Sequence, residues 1–272
     1  MPVQAEKVAI CDPLWSALRS EAEDIANAEP ALASFAHATI LNHPRLEDAL
    51  CYLLAGKLGD DDVRPMLARE IFEEALQADP EIGDATRADL SAILTRDPAC
   101  HSYAQAFLFF KGFQALQSYR IAHWLWTQDR KTLAYLIQSR VSELFAVDIH
   151  PAARIGRGIF FDHATGIVIG ETAVVEDDVS MLHGVTLGGT GKEMGDRHPK
   201  IRRGVLLSAG AKVLGNIEVG EYSRVGAGSV VLKPVPPHCT VAGVPAKNIG
   251  CSSPERPSQE MDQIIRESDF QI

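Results

Sequence analysis

The chain has 272 residues, 46% of them apolar, which is enough for a large core or for two domains. Its formal net charge is −10 and it has no run of Lys or Arg, so nucleic acid and anionic membranes are poor candidate partners. The N-terminus lacks an apolar signal segment, and no stretch has the roughly eighteen uninterrupted apolar residues of a membrane span, so we expect a cytoplasmic protein.

Residues 1–147 carry apolar side chains at three- and four-residue spacing, the periodicity of amphipathic helices. Proline stands near predicted helix starts, as at Pro13 and Pro65. The aromatic-rich run 103–126 is apolar on all sides, and we expect it to be buried between helices or between subunits. The sequence therefore predicts an α-helical N-terminal domain.

A hexapeptide repeat begins at Ile149. Its marked apolar positions are Ile149, Ile155, Phe161, Ile167, Ala173, Val179 and Val185, then, after a break, Ile201, Leu207, Val213, Val219, Val225 and Val231. A period of six is typical of a chain that makes one short strand and one turn per repeat, with three repeats closing a triangular coil. We therefore expect an α+β protein in which a left-handed parallel β-helix over residues 148–250 follows the helical domain.

The repeat is interrupted between Val185 and Ile201, whose spacing of sixteen residues is not a multiple of six. The segment 188–200 is glycine-rich and polar, so it is predicted to leave the coil as a loop. Long loops on a rigid solenoid often carry function, and this one ends in Asp196, Arg197 and His198, a group able to bind an anion. Its GGTGK sequence is not a phosphate loop, because Glu193 stands where that motif needs Ser or Thr.

Two residues near the start of the β-helix are candidates for acid–base chemistry. Asp148 and His163 are fifteen residues apart, so in a coil of eighteen residues they are expected at adjacent levels of one corner. A carboxylate on one imidazole nitrogen fixes the tautomer and leaves the other nitrogen as a base near neutral pH. The sequence therefore predicts His163 as a general base oriented by Asp148.

Several segments resemble those of the serine O-acetyltransferases, a family of hexapeptide acyltransferases. In the solenoid these are DIHPAARIG from residue 148, FDHATGIVIGET from 161, VTLGGTGK from 185 and GDRHPKI from 195. The similarity extends through ASFAHAT from residue 33, TRDPA from 95, KGFQALQSYR from 111 and AGVPA from 242, and covers about nine tenths of the chain. It implies acetyl transfer from acetyl-CoA to the hydroxyl of L-serine, the first step of cysteine synthesis from serine.

The resemblance also implies roles for single residues in serine binding. His163 would take the hydroxyl proton while the hydroxyl attacks the thioester directly in a ternary complex. Asp97 and Asp162 would hold the substrate ammonium group. Arg197 with His198 would hold its carboxylate, for which the planar guanidinium is well suited. L-Cysteine has the same two charged groups, so feedback inhibition at this site is expected.

Acetyl-CoA would be a co-substrate, with no cofactor bound tightly. Its pantetheine arm would lie between neighbouring β-helices of a homotrimer, and two trimers could join through their helical domains. We expect backbone contacts at Ala209 and Ala227, which stand eighteen residues apart, and phosphate contacts at Lys233 and Lys247.

Residues 251–272 have the polar, proline-bearing composition of a flexible tail. The resemblance implies that Ile272, with Phe270 in support, enters the active site of O-acetylserine sulfhydrylase. The five cysteines are widely spaced without a CxxC motif, and we expect reduced thiols.

Other functions remain open at this point. One is an acyltransferase for another small hydroxyl or amine acceptor, although Asp97, Asp162 and Arg197 argue against a sugar. A second is a non-catalytic binding scaffold, which intact Asp148 and His163 argue against. A zinc site built from the solenoid histidines is not favoured, because their spacings do not give a close pair on one coil, and we expect no metal.

Overall fold

The computed structural model describes residues 12–61, 63–191, 194–251 and 255–265. The helices of the described N-terminal part are α1 (Pro13–Ala28), α2 (Pro30–Ala36), a π-helical turn (His37–Leu41), α3 (Leu46–Leu58), α4 (Pro65–Ala78), α5 (Pro80–Arg96), α6 (Tyr103–Phe109), α7 (Lys111–Thr127) and α8 (Lys131–Phe145). Four of them begin with proline, whose missing N–H would have no partner in a first turn. None of the described helices is long and apolar enough to cross a membrane.

The aromatic-rich run forms two helices, because Phe110 ends α6 and caps α7. Helix α7 is buried along nearly its whole length, and it contacts α5, α8 and the first strands of the solenoid. Its polar residues have partners: Arg120 Nη2 donates to Asp89 Oδ2 of α5 at 2.7 Å and to the Gly156 carbonyl at 2.7 Å. The second Asp89 oxygen accepts from the Ile159 amide at 2.9 Å, so one buried carboxylate connects both halves of the chain.

The described residues from 147 to 250 form a parallel β-solenoid with three sheets. Its strands are β1 (Val147–Ile149), β2 (Arg154–Ile155), β3 (Phe160–Asp162), β4 (Ile167–Ile169), β5 (Val174–Val175), β6 (Ser180–Leu182), β7 (Thr186–Gly188), β8 (Lys200–Ile201), β9 (Leu206–Leu207), β10 (Lys212–Leu214), β11 (Glu218–Val219), β12 (Arg224–Val225), β13 (Val230–Val231), β14 (Thr240–Gly243) and β15 (Ala246–Gly250). Sheet A has the order β1-β4-β7-β10-β13, sheet B β11-β8-β5-β2, and sheet C β15-β14-β12-β9-β6-β3. The chain passes from A to B to C in each coil, so turns lie at A–B, B–C and C–A corners.

The register of the coils differs from the sequence prediction at one place. Ile149 pairs with Ile169, a step of 20 residues, whereas Ile169 pairs with Leu187, a step of 18. The repeat between Phe161 and Ile169 thus has eight residues instead of six, and its two extra residues lie in the C–A turn. Ile149, Ile155 and Phe161 are therefore not level with Ile167, Ala173 and Val179, where a regular coil of eighteen residues would place them. The residues at their level are instead Ile169, Val175 and Met181, and Leu187 follows in the next coil. Two residues earlier in each repeat, the marked residues Ile167, Ala173, Val179 and Val185 are also buried.

The predicted loop leaves the solenoid at an A–B corner. Leu187 and Ile201 both point inward on consecutive strands, and the step of fourteen positions from one to the other exceeds the repeat by eight. Gly188 ends β7 and Lys200 begins β8, so the excursion spans the predicted residues. Residues 192–193 lie outside the described part.

The solenoid ends in a hairpin that the sequence did not reveal. Strands β14 and β15 pair antiparallel, with Thr240 opposite Gly250, and the flanking Cys239 and Cys251 are joined by a disulfide. The prediction of reduced thiols is wrong for this pair, because a chain reversal unseen in the repeat brings the two residues together. Cys51 and Cys100 are free and buried.

Residues 255–265, which belong to the predicted tail, lie against the outer face of sheet C. Helix α9 (Pro257–Glu260) contacts α5, and Ser180 Oγ donates to the Ser258 carbonyl at 2.7 Å. The buried Arg224 donates through Nη1 to the carbonyls of Asp262 at 3.1 Å and Ile264 at 3.0 Å. The partners in these contacts are 38 to 78 residues apart in the sequence, so its local patterns do not reveal them. Residues 266–272 lie outside the described part.

Arg224→Met should release this segment from sheet C, because methionine has no donor for the two carbonyls while its chain can still cover the face. We expect faster proteolytic cleavage within residues 255–265, with little change in cleavage of the solenoid. Limited proteolysis followed by mass spectrometry measures both. The matched control is the exposed Arg256→Met, and equal cleavage rates in the two variants would show that Arg224 does not hold the segment.

Candidate active site

A cavity of about 920 Å³ lies where the helical domain meets the first coils. Its wall includes the end of α5, the start of α7, the end of β3 and residues of the 255–265 segment. Three predicted site residues, Asp97, Asp162 and His163, lie along it together. The structure thus joins a residue of the helical half to two residues of the solenoid in one site.

Two aspartates line this cavity. Asp97 ends α5, and its Oδ1 accepts from the Ala99 amide at 2.8 Å, as expected for an aspartate before proline. Asp162 ends β3. Burial raises the pKa of the Asp162 carboxyl above its usual value, and the neighbouring Asp97 charge adds to the rise while His163 opposes it. Two acidic groups this close favour a bound cation such as an ammonium group.

His163 occupies the enlarged C–A turn. Its φ of 55° is in the left-handed region, and its exposed imidazole Nε2 lies 3.7 Å from Asp162 Oδ1. The N-terminus of α7 supports this turn, because Lys111 Nζ donates to Thr165 Oγ1. Gly112 meets the chain just before Asp162 so closely that a Cβ on it would lie 2.3 Å from the Phe161 carbonyl oxygen. Lys111 and Gly112 thus hold the turn in place, and the sequence predictions missed both.

Asp148 does not lie beside His163 within one protomer, which corrects the predicted geometry. It stands on β1 in sheet A opposite Val168, and its Oδ1 accepts from Gln138 Nε2 of α8 at 2.7 Å. Both residues are described, and no hydrogen bond or ion pair joins them. The two residues are apart because the first coil has 20 residues instead of 18. Asp148 is therefore level with Val168, which comes five residues after His163 in the chain.

Arg197 and His198 lie at the A–B corner beside the turn that follows β4. Arg197 Nη2 pairs with Glu171 Oε2 at 2.6 Å, and the His198 ring contacts Thr172 Oγ1 through Nδ1 at 2.9 Å. Gly170 leaves room for this ring, since a Cβ there would lie 2.1 Å from it. Arg197 holds the pKa of the Glu171 carboxyl below its usual value, and burial with the nearby Arg197 charge lowers the pKa of His198. Glu171 and Thr172 were missed as partners, although both belong to the segment that begins at Phe161.

The predicted site residues therefore form two separate groups in one protomer. The first group, Asp97, Asp162 and His163, is at the C–A corner, and the second, Arg197 and His198, is at the A–B corner. Sheet A lies between these corners. One protomer does not bring the two halves of the predicted amino-acid clamp together.

A column of turns rises along the C–A corner above His163. Gly184 N donates to the Thr165 carbonyl, Gly210 N to that of His183, and Gly228 N to that of Ala209, at 2.8, 2.9 and 2.8 Å. Thr165, His183, Ala209 and Ala227 thus hold equivalent positions on successive coils. The amides of Ala209 and Ala227 donate to no described residue, so they can pair with a ligand lying along the column.

The other two predicted CoA residues lie near the end of the solenoid. Lys233 follows β13, and Lys247 is on β15; both are exposed and neither is in an ion pair with a described residue. Among the residues that the structure describes, no three His, Cys, Asp or Glu side chains could hold a metal ion.

Together, the helical domain, the hexapeptide solenoid and the exposed imidazole beside the column of turns are typical of a hexapeptide acyltransferase. Residues 14–118 match the family described as serine acetyltransferase, N-terminal, and residues 198–233 match the bacterial transferase hexapeptide family. The serine acetyltransferase of Escherichia coli (strain K12) is 58% identical over 92% of this chain and 92% of its own length. The chain belongs to the serine acetyltransferase family.

Solved structures agree with this assignment. A serine acetyltransferase in complex with cysteine has a TM-score of 0.91, with 55% identity over 93% of this chain and 98% of that chain. The serine acetyltransferase of Brucella abortus strain S19 in complex with coenzyme A has a TM-score of 0.87, with 56% identity over 88% of this chain and 96% of that chain.

Gly112→Ala should displace the turn that carries His163, because the new Cβ would overlap a backbone carbonyl that cannot swing away. A displacement of this kind costs roughly 10²-fold in rate. Serine-dependent release of CoA from acetyl-CoA measures kcat, and circular dichroism reports folding. Gly56→Ala in α3 is the matched control, since nothing lies within 4 Å of its added Cβ. Equal kcat in both variants would contradict the supporting role of α7.

Proposed function

We propose that this chain transfers the acetyl group of acetyl-CoA to the hydroxyl of L-serine, giving O-acetyl-L-serine and CoA as the first step of cysteine synthesis from serine. The observation that carries the proposal is the acidic pair Asp97 and Asp162 beside the exposed imidazole of His163 in a chain of this family. The acidic pair suits an amino-acid ammonium group, and the imidazole suits the adjacent hydroxyl.

The chemistry needs no covalent enzyme intermediate. His163 takes the proton of the serine hydroxyl as its oxygen attacks the thioester carbonyl carbon. The carbon–sulfur bond then breaks, and the proton passes to the sulfur, which leaves as the CoA thiol. The enlarged turn holds the imidazole out of the coil, where both substrates can reach it.

A trimer explains how the two halves of the clamp meet. Sheet C is covered by α7 and by residues 255–265, while sheet B is bordered by an ion-pair ladder in which Arg202 joins Glu176 and Glu218. Sheet A is contacted by α8 at its first strand, β1, and its remaining strands are left to face the three-fold axis. In a cyclic trimer each protomer offers unlike surfaces to its two neighbours, so the C–A corner of one meets the A–B corner of the next.

We therefore assign serine binding to two protomers. Asp97 and Asp162 of one hold the ammonium, and the partner subunit's Arg197 and His198 hold the carboxylate. Orientation of His163 by the partner subunit's Asp148 belongs to the same arrangement, since Asp148 is on sheet A. Further pairing of two trimers through the helical domains remains part of the proposal.

Acetyl-CoA would lie along the C–A column. The unpaired amides of Ala209 and Ala227 suit the amide carbonyls of pantetheine, and the exposed Lys233 and Lys247 suit the nucleotide phosphates. The Brucella relative solved with coenzyme A supports CoA as the co-substrate.

L-Cysteine is proposed as an inhibitor at the serine site, because it offers the same ammonium and carboxylate groups to the same clamp. The relative solved with cysteine supports this ligand. Binding of O-acetylserine sulfhydrylase through Ile272 is also proposed, although Ile272 and Phe270 lie outside the described residues. A cytoplasmic location belongs to the proposal as well.

His163→Ala should lower kcat by roughly 10² to 10⁴, the usual contribution of a general base, while acetyl-CoA binding persists. Asp148→Asn should have a smaller effect, because the base remains and only its orientation and charge stabilisation change. Steady-state kinetics and calorimetric CoA binding measure these quantities. Near-wild-type turnover by His163→Ala would contradict the assignment of the base.

Mixed trimers test whether the clamp is shared. In a random equal mixture of His163→Ala and Arg197→Ala subunits, about a quarter of the sites combine an intact C–A corner with an intact A–B corner. Co-expression should thus restore about that fraction of wild-type activity, far above either parent.

The control pairs His163→Ala with Asp97→Ala. Both changes affect the C–A corner, so every mixed site stays defective and activity should remain at the level of the parents. Absence of recovery in the first mixture as well, at the same trimer content, would place the complete site within one protomer.

A further inference from the structure

A disulfide joins the end of the solenoid to the chain that leads into residues 255–265. Cys239 is buried just before β14, and its carbonyl accepts from the Arg224 amide at 3.0 Å, so it is fixed on the last coil. Cys251 follows β15 and is exposed, and the bond between the two sulfurs closes the open end of the β14–β15 hairpin. One sulfur is therefore a fixed anchor, and the other belongs to a residue in contact with solvent.

The disulfide sets the point at which the segment 255–265 begins. Strand β15 is the edge strand of sheet C and pairs with β14 alone among the described strands. The chain takes four steps from Cys251 to residue 255, and four residues span at most about 14 Å. Reduction of the disulfide would leave β15 and the segment attached by noncovalent contacts only.

The far part of this segment lines the candidate active site. Four of its residues lie along the same cavity as Asp97, Asp162 and His163: Gln259, Glu260, Met261 and Gln263. These four shape the cavity, and none of them is assigned to proton transfer or to the amino-acid clamp. A change in how firmly the segment is held should therefore alter the binding of serine more than the chemical step.

We propose that the Cys239–Cys251 disulfide is a reversible redox site at which a low-molecular-weight thiol loosens residues 255–265 and weakens serine binding. In a reducing compartment, such as the proposed cytoplasm, disulfides are usually transient and redox-sensing rather than structural. The exposed position of Cys251 suits attack by a small thiol, and its sulfur accepts a hydrogen bond from Asn248 Nδ2 at 3.2 Å. The effect on serine binding rests on the proposed function.

Reduction takes two thiol–disulfide exchanges. The thiolate of the small thiol attacks Cys251 Sγ, the bond to Cys239 Sγ breaks, and Cys239 leaves as a thiolate that takes a proton. A second small thiol attacks the sulfur of the first, releases the Cys251 thiol and forms a small-molecule disulfide. Two electrons and two protons thus pass from the small thiols to the protein. The same steps in reverse restore the bond when the small-molecule disulfide is in excess.

The test equilibrates the wild-type protein in mixtures of reduced and oxidised glutathione. Alkylation followed by mass spectrometry gives the fraction of Cys239 and Cys251 in the thiol form. Limited proteolysis gives the cleavage rate within residues 255–265, and steady-state kinetics gives the KM of serine and kcat. As the thiol fraction rises, we expect the cleavage rate to rise with it and the KM of serine to increase by a few-fold, while kcat changes little.

Two variants separate this site from the other cysteines. Cys251→Ser removes the disulfide permanently, so it should show the fast cleavage and the raised KM of serine in every glutathione mixture. The matched control is Cys51→Ala, which changes a buried free thiol of α3 and should respond to glutathione like the wild type.

A thiol fraction that stays constant across the mixtures would overturn the redox site. So would a wild-type protein whose cleavage rate and KM of serine stay constant while the disulfide breaks, or a Cys251→Ser variant that still responds to glutathione. Alkylation and proteolysis need no turnover. A protein inactive towards serine in both forms would therefore contradict the proposed function while the redox site is still tested.

Discussion

Inward side chains of the solenoid have to stack on one another, and this constraint decides where every other feature can stand. Ile149, Ile169 and Leu187 stay in one line because a void in the core would cost both contacts and transfer free energy. Extra residues can enter only at corners, where the chain already turns outward. The chain uses this freedom twice, with two residues at the turn of His163 and eight in the excursion that carries Arg197.

The two enlarged corners lie on opposite sides of sheet A, and their charges are complementary. One presents the carboxylates of Asp97 and Asp162, and the other presents the guanidinium of Arg197, held in place by Glu171. The ammonium group of a zwitterionic amino acid suits the first corner, and its carboxylate suits the second. Assembly therefore becomes part of substrate recognition in the proposed trimer, because sheet A keeps the C–A and A–B corners of one solenoid apart.

Placement of His163 depends on the helical half as much as on the coil. Helix α7 approaches the turn of His163 at Gly112 and contacts it through Lys111, while the buried Asp89 joins α5, α7 and the chain before β3. Breaking such a buried charge pair costs about 3–5 kcal/mol, since one charge would remain without compensation. The helical domain thus supplies Asp97 and also holds the turn of His163, which gives a physical reason for the two halves to occur in one chain.

The sequence by itself determined the helical half, the solenoid, the excursion loop and the identities of the candidate groups, because all of these depend on local periodicity or on motifs. It could not locate the two-residue slip after Phe161, since Ile167 and Ile169 are both apolar and both become buried. Because the sequence did not show these two extra residues, it predicted Asp148 beside His163, whereas Asp148 is level with Val168. Only the tertiary structure decided the corner of each side chain, the pairing of Cys239 with Cys251 and the attachment of residues 255–265 to Arg224. These features depend on contacts between coils and between segments distant in sequence, and a repeat pattern carries no record of such contacts.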